Sequence, residues 1–88
     1  MCGGYSEDRA PDDHVKKLVK DFESQIKSQL KGNADTLEVV SFKSQVVAGM
    51  NYDIRIKVDG SKFINVVIYE TLPCYDEPNQ LTKVVEHP

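Results

Sequence analysis

The residue types that could do covalent chemistry are few and far apart in this chain. Two cysteines, Cys2 and Cys74, and two histidines, His14 and His87, are spread over 88 residues. A nucleophilic cysteine needs a base and an orienting group, and a zinc site needs closely spaced ligands. We therefore expect no enzyme activity, no metal, no cofactor and reduced thiols, and catalysis by Cys74 is only a remote alternative.

Apolar contact is the chemistry that the sequence favours, through the segment Gln45-Val46-Val47-Ala48-Gly49. The surrounding residues 40–58 alternate between apolar and polar, which predicts an extended strand. Such a strand would be roughly 60 Å long, against an expected radius of gyration of about 12 Å. The chain must therefore fold back, and Gly49 marks the place. Two valines at a tight turn break the local rules, which suggests a tip that inserts into a partner. The spacing equally allows an edge strand with buried valines and a bend elsewhere.

Composition limits the remaining possibilities. A hydrophobic content of 40% and a charged content of 28% predict a single domain over 1–88, with 1–10 as a flexible leader. The net charge of -3, with no basic run longer than Lys16-Lys17, argues against nucleic acid. Neither a long apolar stretch nor a secretory signal pattern is present, so we expect no membrane contact and a cytoplasmic protein.

One helix is predicted from Pro11 to Leu30. Pro11 suits the first helical turn, and Gly32 follows as a helix terminator. A single apolar stripe runs along this segment, which indicates a helix with one buried face; its members are Val15, Leu18, Val19, Phe22, Ile26 and Leu30.

The rest of the chain reads as antiparallel strands. From Val40 onward the even-numbered positions are mostly apolar, as in a strand with one buried face. These residues are Val40, Phe42, Val46, Ala48, Met50, Tyr52, Ile54, Ile56 and Val58. Asp59-Gly60 marks a hairpin, Phe63 to Leu72 returns as a strand, and Leu81 to Val85 supplies a short last one. We expect Ile64, Val66 and Ile68 to face inward, which requires a three-residue or bulged connection; a two-residue turn would bury Phe63, Val67 and Tyr69 instead. One helix on a curled antiparallel sheet of four to five strands, an α+β fold, covers these faces.

A second apolar tip, Leu72-Pro73-Cys74-Tyr75, follows the later strand. Alternate loops of an antiparallel meander emerge at the same end of the sheet, so we expect this tip beside Gln45–Gly49. The Gly3-Gly4 leader can reach that end as well.

These segments together resemble the stefins, the type 1 cystatins, which inhibit papain-like cysteine proteases. The resemblance rests on Gln45–Gly49, preceded by Ser41-Phe42-Lys43-Ser44 and followed by Asn51-Tyr52, on Leu72-Pro73, and on Met1-Cys2-Gly3-Gly4. It covers nearly the whole chain and implies a cystatin-like fold. In stefins the leader glycine and the two loops form a wedge that fills the protease cleft.

The resemblance therefore implies a reversible, competitive inhibitor of papain and cathepsin-type proteases. Its protease-binding residues would be Gly3, Gly4, Gln45, Val46, Val47, Ala48, Gly49, Leu72 and Pro73. The alternative is a non-inhibitory binding module of the same fold. We expect a monomer, and unbroken apolar parity across the tip also predicts domain-swapped dimers.

Overall fold

The computed structural model describes residues 4–32, 34–72 and 77–87. Two helical segments, α1 (Asp13–Asp21) and α2 (Glu23–Gln29), are followed by four strands: β1 (Leu37–Val47), β2 (Gly49–Val58), β3 (Lys62–Glu70) and β4 (Gln80–Glu86). The strands form one antiparallel sheet in the order β1-β2-β3-β4, and the helices cover one face of it. The predicted α+β, cystatin-like fold is confirmed. None of the helices in these ranges is long and apolar enough to span a bilayer.

The helical region begins where the sequence predicts but is interrupted once. Asp12 caps α1 by accepting a hydrogen bond from the Val15 N–H at 2.8 Å. Phe22 leaves the helical conformation, with φ −104° and ψ 10°, and separates α1 from α2. Its carbonyl still accepts from the Ile26 N–H at 2.8 Å, so the chain resumes its helical course with both side chains buried. The single predicted helix is therefore two consecutive segments that share one apolar stripe.

The core lies between this stripe and the inner face of β2 and β3. Its most deeply buried side chains come from both layers: Val15, Ile26, Ile54, Ile56, Ile64, Val66 and Ile68. The β2–β3 hairpin pairs Val58 with Lys62 and leaves three residues, 59–61, in the loop. The inward direction predicted for the three apolar residues of β3 is thus confirmed, together with the three-residue connection that it requires.

The start of β1 differs from the sequence-based prediction. The strand begins at Leu37 rather than Val40, and its register shifts between Val39 and Ser41. Val40 is the extra residue of this bulge and is 38% exposed, while Leu37 and Val39 pack against the core. Placing Val40 on the inner face was wrong, because a bulge reverses the inside–outside alternation and no local residue type marks it.

The beginning of α1 is fastened to the end of β3 by a polar contact. His14 Nε2 lies 2.9 Å from Glu70 Oε2, and the Tyr52 hydroxyl donates to Glu70 Oε1 at 3.4 Å. Burial, with the Glu70 charge and this hydrogen bond, raises the pKa of Tyr52. The contact holds the helix and the sheet in register at one end of the core.

Asp59 closes the opposite end of the sheet. Its carboxylate accepts from the backbone N–H groups of Thr36 at 2.8 Å and of Asp35 at 2.9 Å, which precede β1. Those two bonds favour the charged form and hold the pKa of Asp59 below its ordinary value of 3.8. Asp59 and Gly60 both adopt left-handed backbone, with φ 52° and 75°. One aspartate therefore shapes the β2–β3 turn and anchors the approach to β1.

Asp59→Asn should change how stability depends on pH. Because the folded pKa is lowered, the charged carboxylate stabilises the wild type above about pH 4, and this contribution is lost as the pH falls through the folded pKa. Wild type should exceed Asp59→Asn in free energy of unfolding at about pH 6, and the two should converge near pH 2. Urea denaturation measures both, with Ser61→Ala in the same loop as the control. An equal gap at the two pH values would contradict the assignment.

Candidate functional site

The hairpin tip, defined as Gln45–Gly49, reverses the chain between β1 and β2. Val47 and Gly49 are the last cross-strand pair, so Ala48 alone makes the turn. Gly49 has φ 124°, and a Cβ placed on it would come within 2.5 Å of the Glu70 carbonyl oxygen. Both the backbone conformation and the close approach of β3 require glycine here. The predicted reversal of the chain within this segment is confirmed.

The tip presents apolar surface to solvent. Val46 is 66% exposed, Ala48 is exposed and Val47 is half-buried. The valines therefore lie neither beneath the helix nor along an unbent strand. An exposed apolar projection held by two strands is suited to burial in a partner's groove.

The second segment begins at the same end of the sheet. Glu70, the last residue of β3, pairs with Met50 next to the hairpin tip, and Leu72 follows it with 39% exposure. The loop is closed at its base, because the Thr71 N–H donates to Asn79 Oδ1 at 3.1 Å and the Thr71 hydroxyl donates to the Glu77 carbonyl at 2.7 Å. Leu72 thus leaves a fixed base beside the tip.

The leader approaches this end along the outer edge of β1. Arg9 pairs with Phe42 through two backbone hydrogen bonds of 2.9 and 3.1 Å, and the Ser6 N–H donates to the Ser44 carbonyl at 2.7 Å. The pairing is antiparallel, so Tyr5 and Gly4 continue from Ser6 in the direction of the hairpin tip. A Cβ on Gly4 would meet none of the described atoms within 4 Å. Unlike Gly49, Gly4 therefore has no neighbour among the described residues that excludes a side chain.

Tyr5 shows how the leader lies against the sheet. Partial burial raises the pKa of the Tyr5 phenol, and the negative charge of Asp53 on β2 raises it further by a smaller amount. Asp53 faces away from the helices, since its neighbours Tyr52 and Ile54 point into the core. Tyr5 therefore lies on the side of the sheet that carries Asp53, opposite the helices.

The structure brings part of the predicted site together. Gln45–Gly49 and Leu72 lie at the same end of the sheet, and the described part of the leader, which begins at Gly4, extends along β1 in their direction. The remaining predicted site residues, Gly3 and Pro73, lie outside the described residues, as do Cys2 and Cys74. The protease-binding role of the whole set stays a prediction.

Tyr69, which the sequence pattern did not mark as functional, supports the tip from behind. The Tyr69 hydroxyl donates a hydrogen bond to the Ala48 carbonyl across 21 positions of sequence. Its position could have been found from the pairing register, since a three-residue β2–β3 turn sets Tyr69 opposite Asn51, two residues from Gly49. The residue type gave no signal by itself, because tyrosine is common in strands.

Comparisons with known proteins agree with this geometry. The family model described as the cystatin domain matches residues 8–87. Stefin-C of Bos taurus is 32% identical over 80 residues, covering 91% of this chain and 79% of the relative. Cystatin-B of Bos taurus is 32% identical over 82 residues, covering 93% and 84%. Leukocyte cysteine proteinase inhibitor 1 of Sus scrofa is 26% identical over 81 residues, covering 92% and 79%. The chain belongs to the cystatin family and, within it, to the stefins.

Proposed function

We propose that this protein is a reversible, tight-binding competitive inhibitor of papain-like cysteine proteases of the cathepsin type, and that it is not an enzyme. The observation that carries the proposal is the solvent-exposed apolar hairpin tip, which shares one end of the sheet with Leu72 and the leader. Membership of a family that includes a protein named as a cysteine proteinase inhibitor supports the same function.

Apolar contact supplies the affinity in this proposal. Val46 and Leu72 are 66% and 39% exposed in the free protein. Burying a fully exposed valine or leucine side chain is worth about 1.5 to 3 kcal/mol, so each of these partly exposed side chains contributes a fraction of that amount to the complex. Val47 adds to them from its half-buried position at the end of β1.

Order before binding favours the same outcome. The hairpin tip ends two paired strands, and the second loop is closed at its base by Thr71. The hairpin tip therefore loses little conformational entropy on docking, so a modest contact area gives tight binding.

Gly3 and Gly4 fit the part of the wedge that passes closest to the protease nucleophile. A backbone without side chains can approach a catalytic thiol without steric conflict. In this arrangement the inhibitor blocks the cleft and is not itself cleaved. The proposal requires no cofactor, and it places the active form as a cytoplasmic monomer.

Val47→Asp should abolish most of the inhibition. A carboxylate at the tip would be buried without a partner in an apolar groove, and the apparent inhibition constant for papain should rise about 30-fold or more. Val40→Asp is the matched control, because it makes the same change at an exposed valine of the same strand, away from the tip. Papain titration with a fluorogenic peptide measures both. Equal inhibition by Val47→Asp and Val40→Asp would overturn the proposed role of the tip.

Removal of residues 1–4 should weaken inhibition only in part. The tip and Leu72 remain, while the close backbone contact is lost, so we expect a rise of about 10-fold in the inhibition constant. Ser6 and Arg9 keep their pairing with β1, so the unfolding transition should stay close to that of the full chain. Full retention of affinity would exclude the leader from the site.

A different result would favour catalysis by Cys74. In that case the full chain would not inhibit papain, and Cys74 would react unusually fast with thiol reagents.

Domain-swapped dimers should form on mild heating and should not inhibit papain. If the tip straightens, β1 and β2 become one long strand, and two chains can exchange halves while the core contacts are kept. The exposed turn at Ala48 then no longer exists. Size-exclusion chromatography separates the species, and papain inhibition is assayed in each peak. A dimer that inhibits as strongly per chain as the monomer would contradict this prediction.

A further inference from the structure

We propose that Tyr69 is a positioning residue for the hairpin tip, holding it in the shape that docks into a protease. This inference rests on the proposed inhibitory function and deepens it. It assigns the preorganisation of the tip to one hydroxyl group, which acts through the Ala48 carbonyl.

The backbone of Tyr69 is fixed from both sides. It belongs to β3, an interior strand of the sheet, and it pairs with Asn51 on β2 and with Gln80 on β4. A side chain anchored in an interior strand has little freedom to follow a moving loop. Tyr69 thus offers a fixed attachment point beside the turn of the hairpin.

The hydroxyl of Tyr69 contacts the turn at its apex. It donates a hydrogen bond to the carbonyl of Ala48, the one residue between the paired ends of β1 and β2. The strand ladder secures Val47 and Gly49 on either side, and this bond secures the residue between them. The whole tip is therefore tied to the interior of the sheet.

The ring of Tyr69 also fills the space beside Gly49 that a side chain at position 49 would occupy. A Cβ on Gly49 would lie 2.9 Å from the Tyr69 hydroxyl oxygen and 3.0 Å from its Cε1 atom. The ring occupies the space that any other residue at position 49 would need. We call Tyr69, Ala48 and Gly49 together the tip clasp.

Two effects should follow from loss of the clasp. The tip would sample more conformations, so docking would lose more conformational entropy and inhibition would weaken. Straightening of the tip would no longer break the hydrogen bond to Ala48, so chain exchange between monomers would become faster. One substitution should therefore weaken inhibition and promote dimerisation at once.

Tyr69→Phe tests this by removing only the hydroxyl. We expect a rise of about 3- to 10-fold in the inhibition constant for papain, the range that one net hydrogen bond supplies, together with a faster appearance of dimer on heating. Tyr52→Phe is the matched control: it also removes one tyrosine hydroxyl bond, but on the helix-facing side of the sheet. It should leave both inhibition and the rate of dimerisation close to wild type.

Amide hydrogen exchange gives a local readout that does not depend on any protease. In Tyr69→Phe, exchange at Ala48 and Gly49 should be about 3- to 10-fold faster, while the core amides of Ile54 and Ile56 keep their protection. A merely structural role would instead lower protection across the core and in both tyrosine variants alike.

The outcomes separate this inference from the function on which it rests. If wild type inhibits papain and Tyr69→Phe equals it in inhibition, dimerisation and exchange at the tip, the clasp is refuted and the inhibitory function stands. If wild type does not inhibit papain, the proposed function is refuted and the role of Tyr69 in inhibition falls with it. Weaker inhibition with faster dimerisation in Tyr69→Phe alone supports both.

Discussion

The reversal of the polypeptide at Ala48 is the constraint on which the rest of the structure depends. A straight strand over Leu37–Val58 would be roughly 70 Å long, whereas the longest dimension of the molecule is 37 Å and its radius of gyration is 12.9 Å. Folding this segment in two stacks Phe42 and Ile54 on the same face, opposite each other, where the helices can cover both. The core can close only because the chain turns back here.

This reversal also gives the two ends of the hairpin different roles. Near the middle of the sheet its apolar residues are buried and stabilise the fold, whereas beyond the edge of the helices the same alternation carries Val46 into solvent. The tip is therefore an extension of the core strands rather than a separate loop. Its shape is specified by interior contacts, above all by Glu70 and Tyr69, which approach Gly49 so closely that only glycine fits.

The sequence predicted those elements that depend on the spacing of apolar residues or on a turn signal within a short segment. The apolar stripe of the helical region, the Asp59-Gly60 hairpin and the inward set of β3 follow from spacing, and the meander then places Leu72 beside the tip. The bulge at Val40 and the break at Phe22 could not be predicted, because each depends on how distant surfaces meet. The predicted register sets Tyr69 opposite Asn51, but its bond to Ala48, in the turn between two other strands, has no local sequence signal. Family resemblance indicated the proposed binding residues, but the pairing register and the side-chain contacts were needed to find what supports the hairpin tip.

The leader has a second consequence, for solubility. β1 is an outermost strand, and such strands carry free N–H and C=O groups that can recruit other chains. The backbone of Ser6 and Arg9 occupies these groups at Ser44 and Phe42, and the bulge at Val40 disrupts the regular ladder farther along. The segment that follows Gly4 thus also covers part of the free edge of β1, so a substitution there would change the protection of this edge as well as the path of the leader.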